Sequence, residues 1–156
     1  MVPSLLLKTV SPELPVYYLD SSLIIKRYLK ESGTAQVKQL LGSSMQWYTA
    51  ALSYAEVLCA FKRAYKTHVI SEKMFYAVSH TFQADWAKVD TLEFSPEAQA
   101  LVSDILKRVY LRGADTVQLS TALCLKNQGL PLIFGTADKQ LHIAAKLLRL
   151  ETWNLK

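Results

Sequence analysis

The chain has 156 residues, 51% of them hydrophobic and 20% charged, which is ample for one packed core and excludes a disordered chain. Its 18 Lys and Arg against 13 Asp and Glu leave a net charge of +5, which permits a polyanionic partner without requiring one. No apolar run reaches the roughly 18 residues of a membrane span, and the opening MVPSLLLKTVSPELPV lacks the basic start and long apolar centre of a signal peptide. No membrane association and a cytoplasmic location are therefore expected.

Residues 1–15, with three prolines, read as an arm leading into a single domain that covers 16–156. Val16 to Leu19 is a β-prone run that stops at Asp20, and a helix-like stretch from Leu23 to Glu31 follows, closed by Gly33. A second helix is expected over Thr34 to Leu41 with Gly42 as its stop. Gln46 to Thr49 is the next strand. Leu52 to Tyr65 is a helix with Tyr54, Val57, Leu58, Phe61 and Tyr65 as its stripe. Its other face, Leu52, Glu56, Cys59, Ala60 and Arg63, is small or apolar in its first half, so burial on more than one side is expected. Glu72 to Lys88 places Phe75, Val78, Phe82 and Trp86 at helical spacing. A short strand over Val89 to Phe94 precedes Ser95-Pro96-Glu97, an N-cap with Pro at the first helical position, which opens a helix to about Tyr110.

The stretch RGADTVQLSTALCLKNQGLPLIFGTAD, residues 112–138, then reads as helix, turn, buried strand and loop, with an acid at each end. A final helix spans Lys139 to Arg149, and Leu150 to Leu155 forms an edge strand. Strands alternating with one or two helices point to an α/β domain with a mostly parallel sheet. Cys59 and Cys124 form no C-x-x-C pair and are expected as buried thiols in a reducing compartment.

Asp20 and Asp138 stand at the ends of strand-like runs, where ligands bind in parallel sheets, and Asp115 stands in the first turn of its helix. Helix capping explains any one of these aspartates. It does not explain Glu56, in mid-helix among small and apolar neighbours, where an ionised carboxylate needs a partner. That partner is either a base such as Arg63, two turns along, or a shared acidic pocket. Converging carboxylates repel unless a divalent cation neutralises them. An all-oxygen set suits Mg²⁺ or Mn²⁺ rather than zinc, and His68, His80 and His142 show no ligand spacing. The phosphate loops of nucleotide-binding folds and the G-x-S-x-G elbow are absent from the sequence. Spacing alone leaves open whether Asp115 joins Asp138, because helix starts lie at the opposite end of a sheet unless the chain arrives from above.

Four segments in this order, YLDSSLIIKRYLKESGT, SYAEV, LRGADTVQLSTAL and FGTAD before a helix, resemble the PIN-domain family, and within it the VapC-type toxin ribonucleases. The resemblance runs from about Val16 to Leu150. It implies a three-layer PIN-like fold, a small mostly parallel sheet flanked by helices. It also implies a site in which Asp20, Glu56, Asp115 and Asp138 hold Mg²⁺ or Mn²⁺, with Ser22 and Thr136 in support. Some relatives carry a further acid where this chain has Leu119, which leaves fewer direct ligands, and the arm is longer than in compact relatives.

The implied activity is metal-dependent hydrolysis of RNA phosphodiester bonds. Lys26, Arg27, Lys62, Arg63, Arg112 and Lys139 are candidates to offset the acidic site toward RNA, though a solvated helix face explains any one of them. Tyr17, Tyr18 and Trp47 are expected in the core rather than as stacking platforms. A small antitoxin partner and a homodimer follow by family analogy, with Leu23 to Glu31 and Thr34 to Leu41 as contact surfaces. Other readings are an RNA-processing nuclease without an antitoxin, a non-catalytic PIN-like module binding RNA or protein, and a phosphoryl acceptor at Asp20. The last lacks a second Asp two residues on.

Overall fold

Short β-prone runs assemble into one sheet in the computed structural model, which describes residues 15–42, 47–153 and 155. Its strands are β1 (Val16–Leu19), β2 (Trp47–Ala50), β3 (Asp90–Leu92), β4 (Leu132–Gly135) and β5 (Glu151–Trp153), in the order β3-β2-β1-β4-β5, with every pairing parallel. The helices among the described residues are α1 (Ser21–Tyr28), α2 (Thr34–Gly42), α3 (Ser53–Lys66), α4 (Glu72–Trp86), α5 (Pro96–Leu106), α6 (Gly113–Asn127) and α7 (Lys139–Leu147). From β1 the chain steps outward to β2 and β3, then returns to the other flank of β1 as β4. The β1–β4 border is thus a topological switch point, and the crevice beyond its carboxyl ends is where such sheets bind ligands.

Side-chain alternation along the strands separates two cores. Val16 and Tyr18 of β1 join Tyr48, Ala50, Leu132 and Phe134 beneath Ile105 of α5, Leu119, Ala122 and Leu125 of α6, and Leu141, Ala144 and Ala145 of α7. Leu19, with Tyr17 packed alongside, joins Leu23 and Ile24 of α1, Val37 and Leu41 of α2, Val57 and Phe61 of α3, and Val78 and Phe82 of α4. Covered on both faces, β1 and β4 read in sequence as near-continuous apolar runs, as expected of parallel strands. Phe82 anchors the second core, with the rings of Tyr28, Tyr54, Phe61 and Trp86 at 5.4–5.9 Å. Gly135 lets α1 approach β4: a Cβ there would stand 2.8 Å from Leu19 Cδ2 and 2.8 Å from Leu23 Cδ1.

Several expectations need correction. The first helix starts at Ser21, because the Asp20 side chain accepts the Ser22 N–H and caps it, and it ends at Tyr28 rather than Glu31. The helix opened by Ser95 and Pro96 stops at Leu106, not Tyr110, and α4 stops at Trp86. Helix α7 ends at Leu147, shortly before Arg149 takes a left-handed φ of 61° that no helix continues. Strand β3 is confined to Asp90–Leu92. The thiol of Cys59 is exposed and that of Cys124 half-buried. Helix α3 is buried along Ser53, Val57 and Phe61 only, so Cys59 and Arg63 on its other side meet solvent rather than a second core. Residues 1–14 of the arm, Gln46 of the second strand and Asn154 of the last lie outside the described residues. Among the described residues no helix is long and apolar enough to cross a membrane.

Candidate active site

Asp20 leaves β1 at the switch point, and its backbone N–H donates to Gly135 O at 3.0 Å, extending the β1–β4 ladder by one residue. The side chain is 4% exposed. Its Oδ1 accepts from Ser22 N at 2.6 Å and from Ser22 Oγ at 2.5 Å, and its Oδ2 accepts from Thr136 Oγ1 at 2.9 Å. Ser22 Oγ also accepts the Ala137 N–H at 2.8 Å, and Thr136 Oγ1 accepts the Asp138 N–H at 3.0 Å. Two hydroxyls therefore stitch the loop after β1 to the loop after β4. Burial pushes the Asp20 carboxyl up to about 6 against the pull of these donors, and the negative field of Glu56 adds to the rise.

Asp138 caps α7, its Oδ1 accepting from Gln140 N at 2.7 Å and Leu141 N at 2.9 Å, and the residue is exposed. Capping thus accounts for one of its oxygens, as it accounts for one of Asp20. Asp115 lies in the first turn of α6, half-buried. Burial raises its carboxyl above the usual range, followed by the charges of Asp138 and Glu56, while Arg112 draws it down. Glu56, half-buried in α3, accepts from Gln118 Nε2 at 2.8 Å. No ion pair to Arg63 or another base holds it among the described residues.

These couplings link Glu56 to Asp20 and to Asp115, and Asp115 to Asp138. Helix α6 ends at Asn127, five residues before β4 begins at Leu132, so its opposite end, with Asp115, lies toward the carboxyl end of β4, within the fields of Asp138 and Glu56. One turn further, Gln118 reaches Ser53 at the start of α3.

The acidic groups fit a hard divalent cation in kind: all are oxygen donors, they lie in one another's field, and their mutual repulsion is of the sort a cation relieves. Among the described residues no three of them, with or without His and Cys, are gathered into a group that could hold a metal ion unaided.

The six candidate cations divide. Lys26 donates to Glu31 Oε2 and to Ser32 O, both at 2.9 Å, and Arg27 stands 3.5 Å from Asp85. Lys62 Nζ lies over the rings of Tyr65 and Phe75, at 4.9 and 4.8 Å. These three are drawn into local contacts. Arg63 is exposed on α3, two turns beyond Glu56. Arg112 at the N-cap of α6 and Lys139 at the first position of α7 are exposed beside Asp115 and Asp138. Tyr18 is fully buried, and Tyr17 and Trp47 pack against the second core, as expected.

Sequence reading passed over a buried polar string beneath the acids, in which Thr49, Ser53 and Gln118 are at most 1% exposed. Its signal was present: Gln118 stands one turn after Asp115, and Ser53 precedes Glu56 by three.

Comparison with known proteins follows the same lines. The PIN domain family model matches residues 17–147. The chain is similar to Ribonuclease VapC45 of Mycobacterium tuberculosis, 26% identical over 132 residues that cover 85% of this chain and 90% of that one. Among solved structures it resembles FitAcB from Neisseria gonorrhoeae, with a TM-score of 0.66 at 17% identity over 88% of this chain and 96% of that one. It also resembles VapBC2 from Rickettsia felis bound to a DNA fragment from their promoter, with a TM-score of 0.64 at 12% identity over 90% and 99%.

Proposed function

Because the chain belongs to the PIN-domain family, we propose that it is a Mg²⁺- or Mn²⁺-dependent endoribonuclease and the toxin of a toxin–antitoxin pair. One observation carries most weight: Asp20, buried where β1 and β4 meet, lies in the field of Glu56, and Asp115 lies in the fields of both Asp138 and Glu56, with Asp20 pushed up to about 6. Likeness to Ribonuclease VapC45 over 85% of the chain supports RNA as substrate.

In this reading Asp20, Glu56, Asp115 and Asp138 hold the divalent ion, directly or through water. The ion, when bound, supplies Lewis-acid polarisation of the phosphate and a more acidic water. Ser22 and Thr136 keep both Asp20 oxygens in place, and their link across the two loops keeps Asp138 in register with Asp20. Glu56 orients the attacking water, whose oxygen forms a new bond to phosphorus as the ester oxygen leaves. Arg112 and Lys139 at the rim attract the RNA backbone toward a pocket that would otherwise repel it. A small antitoxin that covers the pocket is the expected partner, with homodimerisation through α1 and α2, and the domain extends over residues 16–156.

The test is cleavage of RNA by the purified chain with Mn²⁺ and with EDTA, for the wild type and for Asp20→Asn. Cleavage that needs the metal and Asp20 supports the reading. Cleavage indifferent to both removes it.

A further inference from the structure

The buried string beneath the acids has a fixed direction, and that direction ends on Glu56. Tyr18 Oη donates to Gln118 Oε1 at 2.8 Å, so the carbonyl end of the amide is committed. Gln118 Nε2 then donates twice, to Ser53 Oγ at 2.9 Å and to Glu56 Oε2 at 2.8 Å, and Ser53 Oγ shares a further bond of 2.7 Å with Thr49 Oγ1. A flipped amide would set its oxygen against the Glu56 carboxylate and an N–H against the Tyr18 hydroxyl. The carboxylate, which can only accept, thus selects the orientation, and the Tyr18 hydroxyl, able to donate or accept, donates to the amide oxygen that this leaves facing it. Gln118 is 1% exposed and Tyr18 0%, so neither end of this link is open to competing water.

We propose that Gln118 is a positioning residue for the reaction. Locked by Tyr18 and Ser53, it ties down Glu56 Oε2 and leaves Oε1 to the pocket. The inference rests on the nuclease reading above and deepens it. The amide spends both donors and its acceptor on groups from two other elements, Tyr18 of β1 and Ser53 and Glu56 in the first turn of α3. A half-buried glutamate with no ion pair is otherwise free to rotate, so without the amide its carboxylate would sample several rotamers and meet water or ligand in few of them.

The experiment uses the full chain as wild type, Gln118→Met, Glu56→Ala and the double variant, with Ser120→Ala as a packing control. Ser120 is buried in the same helix, and its hydroxyl bonds only to Val117 O. Mn²⁺ affinity is measured by calorimetry without RNA, and kcat and KM are measured on RNA. Gln118→Met is expected to lose about 10- to 100-fold in Mn²⁺ affinity or kcat, with KM for RNA little changed, while Ser120→Ala keeps both. On top of Glu56→Ala the Gln118→Met change is expected to add almost nothing, because the amide acts through the carboxylate. Wild-type values for Gln118→Met, or a double variant that loses the product of the two single effects, would overturn the inference. Should Gln118→Met not fold, Tyr18→Phe releases the other end of the lock and is expected to lower affinity and kcat severalfold, and unaltered values there count against the proposal. Failure of the nuclease reading looks different: the wild type binds Mn²⁺ in a Gln118-dependent manner yet cleaves no RNA.

Discussion

Replacing Asp20 with Asn tests whether the buried carboxylate is a cost to folding that the site tolerates for another reason. Burial moves the folded carboxyl from 3.8 to about 6, a rise of roughly 2 pH units, which at about 1.4 kcal/mol per unit is about 3 kcal/mol. Below about pH 3.9 both folded and unfolded chains carry the neutral acid, and no penalty applies. Between there and about 6 the unfolded chain ionises first, so stability falls as pH rises and the full penalty stands above 6. Asn removes that charge but no longer accepts the Thr136 hydroxyl as a carboxylate does, a loss of about 1 kcal/mol. The net expectation at pH 8 is a gain of about 2 kcal/mol, or roughly 4–8 °C in Tm for a chain of this length. The gain should fade and then reverse as pH falls below about 5. Calorimetric unfolding in EDTA at pH 8 and pH 4.5 measures it. If Asp20→Asn lowers Tm by the same amount at both pH values, the account of Asp20 as a strained, unpaired charge is wrong.

Other changes probe separate parts of the structure. Ser22→Ala removes the hydroxyl bonds to Asp20 and Ala137. It should cost about 1–3 kcal/mol in urea unfolding and raise the Asp20 titration further, seen by carboxyl NMR. A variant as stable as wild type with Asp20 titrating unchanged would remove Ser22 from the site. Gly135→Ala forces a Cβ to 2.8 Å from two buried leucine methyls and should destabilise by about 1–3 kcal/mol, against no change if α1 can shift freely. Arg112→Ala with Lys139→Ala should weaken RNA binding and flatten its salt dependence by about two charges' worth of slope. Lys26→Ala, whose amine is occupied by Glu31 and Ser32, should change that slope less, and an equal effect would place RNA on α1 instead.

The parts of the fold that depend on local pattern were legible beforehand. Apolar runs ending in Asp20 and before Asp138 marked β1 and β4, and Ser95-Pro96 marked the start of α5. The order of strands was not legible in the residues, since nothing local says that β4 lies beside β1 rather than β3. The same gap left Asp115 unplaced by spacing alone, and only the family resemblance set it beside the other acids. Glu56 was rightly picked out as an acid in need of a partner. Of the two partners the sequence left open, the base Arg63 makes no ion pair with Glu56 among the described residues, and a hydrogen bond comes instead from Gln118 of α6. Cys59 was misread because small and apolar residues on a helix flank carry no label saying which flank is covered. Gln118 was overlooked for a related reason: one amide among the small polar and apolar residues of a helix acquires meaning only when Tyr18, Ser53 and Glu56 stand around it.

The account stands on Asp20, Glu56, Asp115 and Asp138 surrounding one divalent ion. Anomalous diffraction from crystals of the chain grown with Mn²⁺ tests this most directly. A manganese peak in the crevice beyond β1 and β4, in contact with these carboxylates directly or through water and lost in Asp20→Asn, is the predicted result. A peak elsewhere on the chain, or none in the crevice at a Mn²⁺ concentration that supports RNA cleavage, would contradict it.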